Sequence, residues 1–270
     1  MSIFQAIILG ALQGITEFLP ISSSGHLAIA QHLFGLELPL IFDVSLHLAS
    51  LLAVLFVFRK ILWSLIISFG RWVMRKNSIE DELQLNTILS LILASIVTAA
   101  FGLVFKKLIP DLPIIFIFGG FILTACALAA SHKVHSREVE KNTKEPKKIS
   151  VLKALVIGAS QGIGVLPGIS RSGITISSSL FLKLDRKTAG EFSFLLSIPA
   201  ILGAFILEAK DLTSLTTEVS LISLLIGCFT SFIVGYFSLR FLLKLIQKGK
   251  LYYFAFYLMP IAVLGFIFIH

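Results

Sequence analysis

The sequence predicts an all-α polytopic membrane protein, in which about six transmembrane helices and two re-entrant helical hairpins form an inverted-topology repeat. Three observations favour this fold. Of the 270 residues, 56% are hydrophobic and only 14% are charged, and the mean hydropathy is +0.95. Apolar runs long enough to cross a bilayer recur along the chain. Polar motifs recur at one fixed displacement, which indicates an internal duplication.

Six apolar runs predict the crossings, because each is close to the ~20 residues that span the hydrocarbon core. They are 41–58, 86–105, 113–130, 191–207, 219–239 and 251–269. The stretch 61–74 carries Trp63, Trp72 and Arg71 around an apolar core and is followed by Arg75, which is typical of an amphipathic helix at the membrane interface. Residues 1–40 and 154–182 have shorter apolar arms, interrupted by Pro, Gly and Ser. We predict that these two stretches form re-entrant hairpins.

The duplication is visible as identical or similar residues at a displacement of 148 positions. The pairs at this displacement are ILGALQGI (8–15) with VIGASQGI (156–163), SSSG (22–25) with SRSG (170–173), Asp43 with Glu191, and Ser45 with Ser193. Many matches at one displacement indicate two homologous halves within a single integral membrane domain, 1–270. The predicted division is a first repeat 1–130, a charged linker 131–150 and a second repeat 151–270.

The two copies should have opposite orientations in the membrane. Three predicted crossings separate the equivalent hairpins. Because an odd number of crossings lies between them, the second hairpin enters the membrane from the opposite side. Two such hairpins, one from each face, would meet near the midplane and line one cavity. Irregular backbone at that depth is tolerated only where protein or a water-filled cavity satisfies its polar groups.

The net charge of +8 indicates orientation rather than nucleic-acid binding. Basic residues cluster in the short connections 59–82, 132–153 and 240–250. The positive-inside rule assigns these connections to the cytoplasm. Both termini are then predicted to lie outside, and the bilayer, not a nucleic acid, is the expected partner.

Gln13 and Glu17 are four positions apart, so on a helix they share one face. A carboxylate at membrane depth is costly and usually marks a functional site, although it could instead cap the neighbouring hairpin. Two hard oxygen donors would suit a divalent cation, Mg²⁺ or Ca²⁺. Glu17 could alternatively serve as a general base.

Ser22, Ser23 and Ser24 precede a second helix, so their hydroxyls and the free backbone N–H groups could hold an anion. The matching segment of the second half adds Arg171, whose planar guanidinium suits bidentate contact with phosphate. An arginine at membrane depth needs a partner. That partner is either Glu17, in a purely structural ion pair, or an anionic ligand, and we favour the ligand.

Two histidines are candidates for proton transfer. His26, at the start of the second helix, could cap that helix, form a phosphohistidine or act as a general acid. Its expected position beside Glu17 and Ser23 favours a catalytic role. His47 follows Asp43 by one helical turn and either lines the cavity or packs in the core.

These residues resemble the undecaprenyl-diphosphatases, also called bacitracin-resistance proteins, over essentially the whole chain. The matching motifs are [E/Q]xxxE at 13–17, SSxGH at 22–26, FDxxLH at 42–47 and PGxSRSxxT at 167–175. This chain has Gln rather than Glu at position 13 and Ser24 where the family often has Thr. It therefore carries one carboxylate, not two, in the first motif.

The resemblance implies a phosphoric anhydride hydrolase that removes the terminal phosphate from undecaprenyl diphosphate. The product, undecaprenyl phosphate, is the carrier lipid reused in peptidoglycan synthesis, and the family is linked to bacitracin resistance. The resemblance also implies dependence on a divalent cation. The site is expected to open to the outer face of the bacterial cytoplasmic (inner) membrane.

From the motifs and the resemblance we expect Ser23 to be the nucleophile, with His26 or an activated water as alternatives. The expected catalytic residues are Glu17, Ser23, His26 and Arg171; the expected substrate-binding residues are Ser22, Ser24, Gly25, Gln161, Gly168, Ser170, Ser172 and Thr175; the expected metal ligands are Gln13 and Glu17. The rival hypothesis is a transporter or flippase of a polyprenyl phosphate, because secondary carriers also use inverted repeats with broken helices. The oligomeric state stays open, with a homodimer as one alternative.

Overall fold

The computed structural model describes residues 1–76, 78–108, 112–134, 148–209 and 219–269, so most of the predicted linker 131–150 lies outside the described residues. Within these ranges the chain forms eleven α-helices, one short 3-10 helix at Ile79–Asp81 and no strand. The helices are α1 Ile3–Phe18, α2 Ser23–Leu33, α3 Leu40–Val57, α4 Arg59–Val73, α5 Glu82–Leu108, α6 Ile115–Val134, α7 Val151–Ile163, α8 Arg171–Phe181, α9 Arg186–Glu208, α10 Leu221–Gln247 and α11 Tyr253–Phe268. The all-α prediction is confirmed.

In the part of the chain that the structure describes, five helices are long and apolar enough to cross a membrane: α3, α5, α6, α9 and α10. They coincide with five of the six predicted crossings, which confirms a polytopic membrane protein. The sixth predicted crossing, 251–269, contains α11, an apolar helix of 16 residues. At 1.5 Å per residue α11 is about 24 Å long, so it is shorter than the ~30 Å hydrocarbon core.

Two helical hairpins lie where the sequence predicts them. Helices α1 and α2 have 16 and 11 residues, and α7 and α8 have 13 and 11 residues. At 1.5 Å per residue no arm spans ~30 Å of hydrocarbon. In the first hairpin Ser22, with φ of 71°, caps α2. In the second, Gly168 turns the chain with φ of 84° and Ser170 caps α8.

Each hairpin packs against a long helix of the other half of the sequence. Helix α1 lies against α10, and α7 lies against α5. Small residues permit the close approach, because a Cβ atom added to Gly10 would collide with the backbone of Gly227, and one added to Gly158 would collide with the backbone of Ala94. Helix α3 also contacts α9, and α6 contacts α8. Both hairpins are therefore anchored to the bundle.

Helix α4, Arg59–Val73, corresponds to the amphipathic helix that the sequence predicts at 61–74. Ser68 Oγ donates a hydrogen bond to Asp81 Oδ1 at 2.7 Å, and Arg71 Nη1 lies 3.3 Å from the same oxygen. Trp63 and Trp72 are 64% and 53% exposed. Exposed aromatic side chains beside basic residues are typical of a helix at the membrane interface.

Candidate active site

The two motif-bearing loops meet through the side chains of Glu17 and Arg171. Arg171 Nη2 donates to Glu17 Oε1 in an ion pair. One position further along α8, Ser172 Oγ donates to the carbonyl of Phe18 at 3.0 Å. The Glu17 side chain is only 2% exposed, whereas that of Arg171 is 20% exposed. The carboxylate of the first hairpin and the guanidinium of the second therefore lie in one place.

Glu17 Oε2 collects three further polar groups. Gln13 Nε2 donates to it at 3.0 Å and Ser23 Oγ donates to it at 2.7 Å. His47 Nε2 lies 3.2 Å away. A buried carboxylate needs such partners because a desolvated, unpaired charge is strongly destabilising. Glu17 is thus the centre of the site.

Ser23 and His47 form a candidate pair of nucleophile and base. Ser23 Oγ lies 3.3 Å from His47 Nε2, and such contacts are often loose before substrate binds. His47 Nδ1 donates to the carbonyl of Asp43 at 2.7 Å. Nε2 is then the nitrogen that faces Ser23 and Glu17 and can take up or carry a proton. The signal for this role was the position of His47 in FDVSLH, one helical turn after Asp43.

His26 forms hydrogen bonds with Ser22 and Tyr257. Its Nδ1 donates to the Ser22 carbonyl at 2.8 Å, and its Nε2 accepts from the hydroxyl of Tyr257 on α11 at 3.0 Å. Helical side chains tilt toward the helix N-terminus, so the ring reaches back to the capping residue. Within the described residues no hydrogen bond joins His26 to Glu17 or Ser23. The catalytic role of His26 stays a prediction.

The other predicted residues of the first loop shape the turn that carries Ser23. The Gly25 backbone N–H donates to Ser22 Oγ at 3.3 Å, and the hydroxyls of Ser22 and Ser24 are 3.4 Å apart. A Cβ atom on Gly25 would collide with the Phe121 ring on α6. These contacts hold the loop against α6. Substrate binding by Ser22, Ser24 and Gly25 stays a prediction.

In the second loop, Ser170, Ser172 and Thr175 surround Arg171. The hydroxyls of Ser170 and Ser172 are 3.2 Å apart. The Thr175 hydroxyl donates to the Arg171 carbonyl at 2.8 Å and contacts the Ser193 hydroxyl of α9. These contacts fix the first turn of α8, from which the guanidinium extends toward Glu17.

Gln161 and Gly168 contact neighbouring helices. Gln161 is 1% exposed, and its Nε2 donates to Thr98 Oγ1 at 3.3 Å and to the Leu196 carbonyl at 3.2 Å. A Cβ atom on Gly168 would collide with the backbone of Ile117. Both residues pack the second hairpin against neighbouring helices, and no described contact joins either residue to Glu17 or Arg171.

A cavity of about 10 Å³ lies against the ion pair, which is room for about one water molecule. Its lining consists of Glu17, Phe18, Arg171, Ser172, Ser193, Phe194 and Ser197. Sequence reasoning did not name Ser193 or Ser197 as site residues, although the duplication pairs Ser193 with Ser45. A diphosphate is much larger than one water molecule. The cavity therefore has to widen before a phosphate group can occupy it.

Gln13 and Glu17 fit a divalent cation that arrives with further oxygen ligands. Gln13 Oε1 is buried and has no hydrogen-bond partner among the described residues, and Glu17 lies one helical turn away. The described part of the chain holds no group of three or more His, Cys, Asp or Glu residues that could bind a metal alone. Mg²⁺ is commonly held by one or two carboxylates together with substrate phosphates. The two side chains suit that mode of binding.

Comparison with known proteins gives consistent matches over nearly the whole chain. The family model described as "Bacitracin resistance protein BacA" matches residues 6–264. An undecaprenyl-diphosphatase of Treponema denticola is 54% identical over 97% of this chain and 96% of its own length. Proteins of the same name from Desulfosudis oleivorans (44% identical, 94% of each chain) and Methanobrevibacter smithii (37% identical, 98% and 97%) also match. All the site residues described above lie inside the matched region.

Proposed function

The chain belongs to the bacitracin resistance protein BacA family, and from that premise we propose that it is an undecaprenyl-diphosphatase. It removes the terminal phosphate of undecaprenyl diphosphate, releases the carrier lipid for peptidoglycan synthesis and confers resistance to bacitracin. The observation that carries this proposal is the ion pair of Glu17 with Arg171, with Ser23 Oγ at 2.7 Å from the same carboxylate. A candidate nucleophile, Ser23, a candidate base, Glu17, and a guanidinium suited to phosphate, Arg171, thus lie together inside a membrane protein.

Substrate binding begins with an exchange of partners at Arg171. The guanidinium is planar and suits bidentate contact with phosphate oxygens. A diphosphate carries more negative charge than the Glu17 carboxylate, so it competes effectively for Arg171. The exchange compensates the charge of the substrate and leaves Glu17 free to accept a proton. It also enlarges the cavity that the closed ion pair restricts.

Ser23 Oγ then attacks the terminal phosphorus, and its proton passes to Glu17 or His47. The bond from this phosphorus to the bridging oxygen breaks, and the oxygen leaves with undecaprenyl phosphate, which takes the proton from the base. A water molecule next attacks the phosphoserine and gives a proton to the base, which is free again. This proton passes to Ser23 Oγ as the bond from Ser23 Oγ to phosphorus breaks and inorganic phosphate is released. Arg171 stabilises the charge on the phosphoryl oxygens in both steps.

A divalent cation, Mg²⁺ or Ca²⁺, would be held by the oxygens of Gln13 and Glu17. Bound there, it would offset the charge that develops on the phosphate oxygens. Gln13 contributes an amide oxygen that has no other described partner. Glu17 contributes the negative charge once Arg171 has moved to the substrate.

The inverted repeat, 1–130 with 151–270, is part of the proposal. Its support is that α1 and α7 occupy equivalent sequence positions and pack against α10 and α5, the equivalent long helices of opposite halves.

In the bacterial cytoplasmic membrane both termini would lie outside, with the site open to the outer face. Labelling of single cysteines at Ser2 and Lys248 with a membrane-impermeant reagent tests this orientation. Light scattering in detergent distinguishes a homodimer from a monomer.

Phosphate release by the purified protein in detergent tests the activity, because transport cannot be read out without a two-sided membrane. We expect wild type and the control Ser95→Ala to release phosphate from undecaprenyl diphosphate, and Ser23→Ala to be inactive. Ser95 is a suitable control because its hydroxyl donates within α5, to the Leu91 carbonyl. No release under any metal condition would contradict the hydrolase and favour a transporter.

The nucleophile can be identified by stopping the reaction with labelled substrate. A phosphoserine at Ser23 is stable in acid and should be recovered in the peptide that contains residues 13–26. An acid-labile adduct at His26 would exclude Ser23 as the nucleophile. A labelled product without any protein adduct would instead favour direct attack by water.

A further inference from the structure

A second cavity, with a volume of about 410 Å³, lies between α4, α5 and α9. This volume falls within the range of about 300–1,000 Å³ that small-molecule sites occupy. The cavity shares no lining residue with the one beside Glu17 and Arg171. Nothing in the catalytic proposal uses it.

The rim of this second cavity carries an excess of positive charge. Lys60 and Lys187 both line it, against one carboxylate, that of Glu191. Lys187 Nζ lies 4.0 Å from Glu191 Oε1, and the Lys187 side chain is 70% exposed. Lys60 is exposed and forms no ion pair with any described residue. An anionic group would find a cation without a competing partner there.

The walls add hydrogen-bonding groups and apolar surface. Gln84 lines the cavity, and its Oε1 is buried without a hydrogen-bond partner among the described residues. Leu65 and Phe192 are buried apolar side chains of the same lining. A ligand that satisfies all of these groups combines an anion, a hydrogen-bond donor and an apolar part.

Helix α4 places this cavity at a membrane surface. Lys60 and Leu65 face the cavity, whereas Trp63 is 64% exposed, as expected for a helix at the interface. The positive-inside rule assigns the connection 59–82, which contains α4, to the cytoplasm. The leaflet on that side contains anionic lipids, which basic juxtamembrane pockets recognise. A lipid can reach the cavity by diffusing within the leaflet.

We propose that the cavity between α4, α5 and α9 binds the headgroup of an anionic phospholipid of the phosphatidylglycerol type. The phosphate contacts Lys60 and Lys187, and a headgroup hydroxyl donates to Gln84 Oε1. The polyprenyl phosphate product has a phosphate but no such hydroxyl, so it leaves Gln84 without a donor. The bound phospholipid links α4 to the transmembrane helices α5 and α9.

Thermal unfolding of the full-length protein in neutral detergent tests this site. The chain has two tryptophans, Trp63 and Trp72, and both lie on α4, so tryptophan emission reports on this region. The protein is titrated separately with phosphatidylglycerol, phosphatidylcholine and undecaprenyl phosphate. We expect a saturable rise in Tm with phosphatidylglycerol and none with phosphatidylcholine, because binding to the folded state stabilises it. Undecaprenyl phosphate, the product of the proposed reaction, can also raise Tm by binding beside Glu17 and Arg171, and that rise should be unchanged when the lysines of the second cavity are replaced.

The lysines are tested by the double variant Lys60→Gln/Lys187→Gln. A lysine close to an anionic lipid strengthens binding by about fivefold, so the double variant should need roughly thirtyfold more phosphatidylglycerol for the same rise in Tm. Lys248→Gln is the matched control, because it removes an exposed lysine on the same predicted side of the membrane. It should respond like wild type.

Three results would overturn the proposal. They are an equal rise in Tm with phosphatidylcholine, a rise that persists at the same phosphatidylglycerol concentration in the double variant, and a rise with undecaprenyl phosphate that the double variant loses. Phosphate release is measured on the same samples in detergent without phospholipid. The double variant should match wild type there, so loss of lipid binding is distinguishable from failure of the phosphatase proposal.

Discussion

Replacing Glu17 with Gln tests the central feature of the proposed mechanism, because it removes the carboxylate's charge and keeps the shape of the side chain. In the structure this carboxylate pairs with Arg171 and accepts a hydrogen bond from Ser23 at 2.7 Å. The variant therefore removes both the counter-ion of Arg171 and a candidate base. These two losses have different effects on kcat and KM.

Loss of a general base lowers kcat by about 10²- to 10⁴-fold. Arg171, in contrast, no longer has to leave a carboxylate before it binds phosphate, so KM should fall. Breaking a fully buried ion pair costs about 3–5 kcal/mol. Because the Arg171 side chain retains 20% exposure to solvent, water can hydrate the guanidinium, and we expect destabilisation near the lower end, about 3 kcal/mol.

The assay is phosphate release at several substrate concentrations, with unfolding followed in parallel. Glu82→Gln is the matched control, because Glu82 is a half-exposed carboxylate that pairs with Lys148 at 2.5 Å. It should leave kcat and KM unchanged. A Glu17→Gln protein with normal kcat, or one in which KM rises, would refute the reasoning that Glu17 is both the base and the competitor for Arg171.

Three further predictions concern the second candidate base, His47, the packing of the second hairpin and the metal site. His47→Ala should lower kcat by at least about 10²-fold without changing KM, because its Nε2 lies 3.3 Å from Ser23 Oγ; unchanged phosphate release would exclude this role. Gly158→Ala should destabilise the protein by about 1–3 kcal/mol in chemical unfolding, since the added Cβ collides with the α5 backbone, whereas Gly203→Ala, which meets no atom within 4 Å, should not. Gln13→Glu supplies a second carboxylate and should strengthen Mg²⁺ binding, measured as a larger Mg²⁺-dependent rise in Tm than in wild type; no difference would argue against a metal at this position.

Much of the fold follows from properties that are local in the sequence. The length and apolar character of a run decide whether it can cross a bilayer, and five predicted crossings are helices of spanning length. The interruptions by Pro, Gly and Ser predicted the two hairpins for the same reason. Helix α11 departs from the expectation because its apolar run yields only 16 helical residues.

The direction of individual side chains did not follow in the same way. His26 and His47 both stand near polar motifs, yet His26 bonds to Ser22 and Tyr257 while His47 lies beside Ser23. Gln161 is the sequence counterpart of Gln13, but it bonds to α5 and α9 instead of a carboxylate. Each outcome depends on the rotation of a helix against its neighbours.

The sequence alone determined the class of protein, the two hairpins and the residue types that carry the chemistry, since hydrophobic length and repeated motifs need no knowledge of packing. Tertiary structure decided which of those residues meet. Glu17 and Arg171 are 154 positions apart, and they form a pair only because each hairpin packs against a long helix of the other half. The same packing selects His47 and the serines of α9 as neighbours of the site, because it sets which helix face turns toward Glu17.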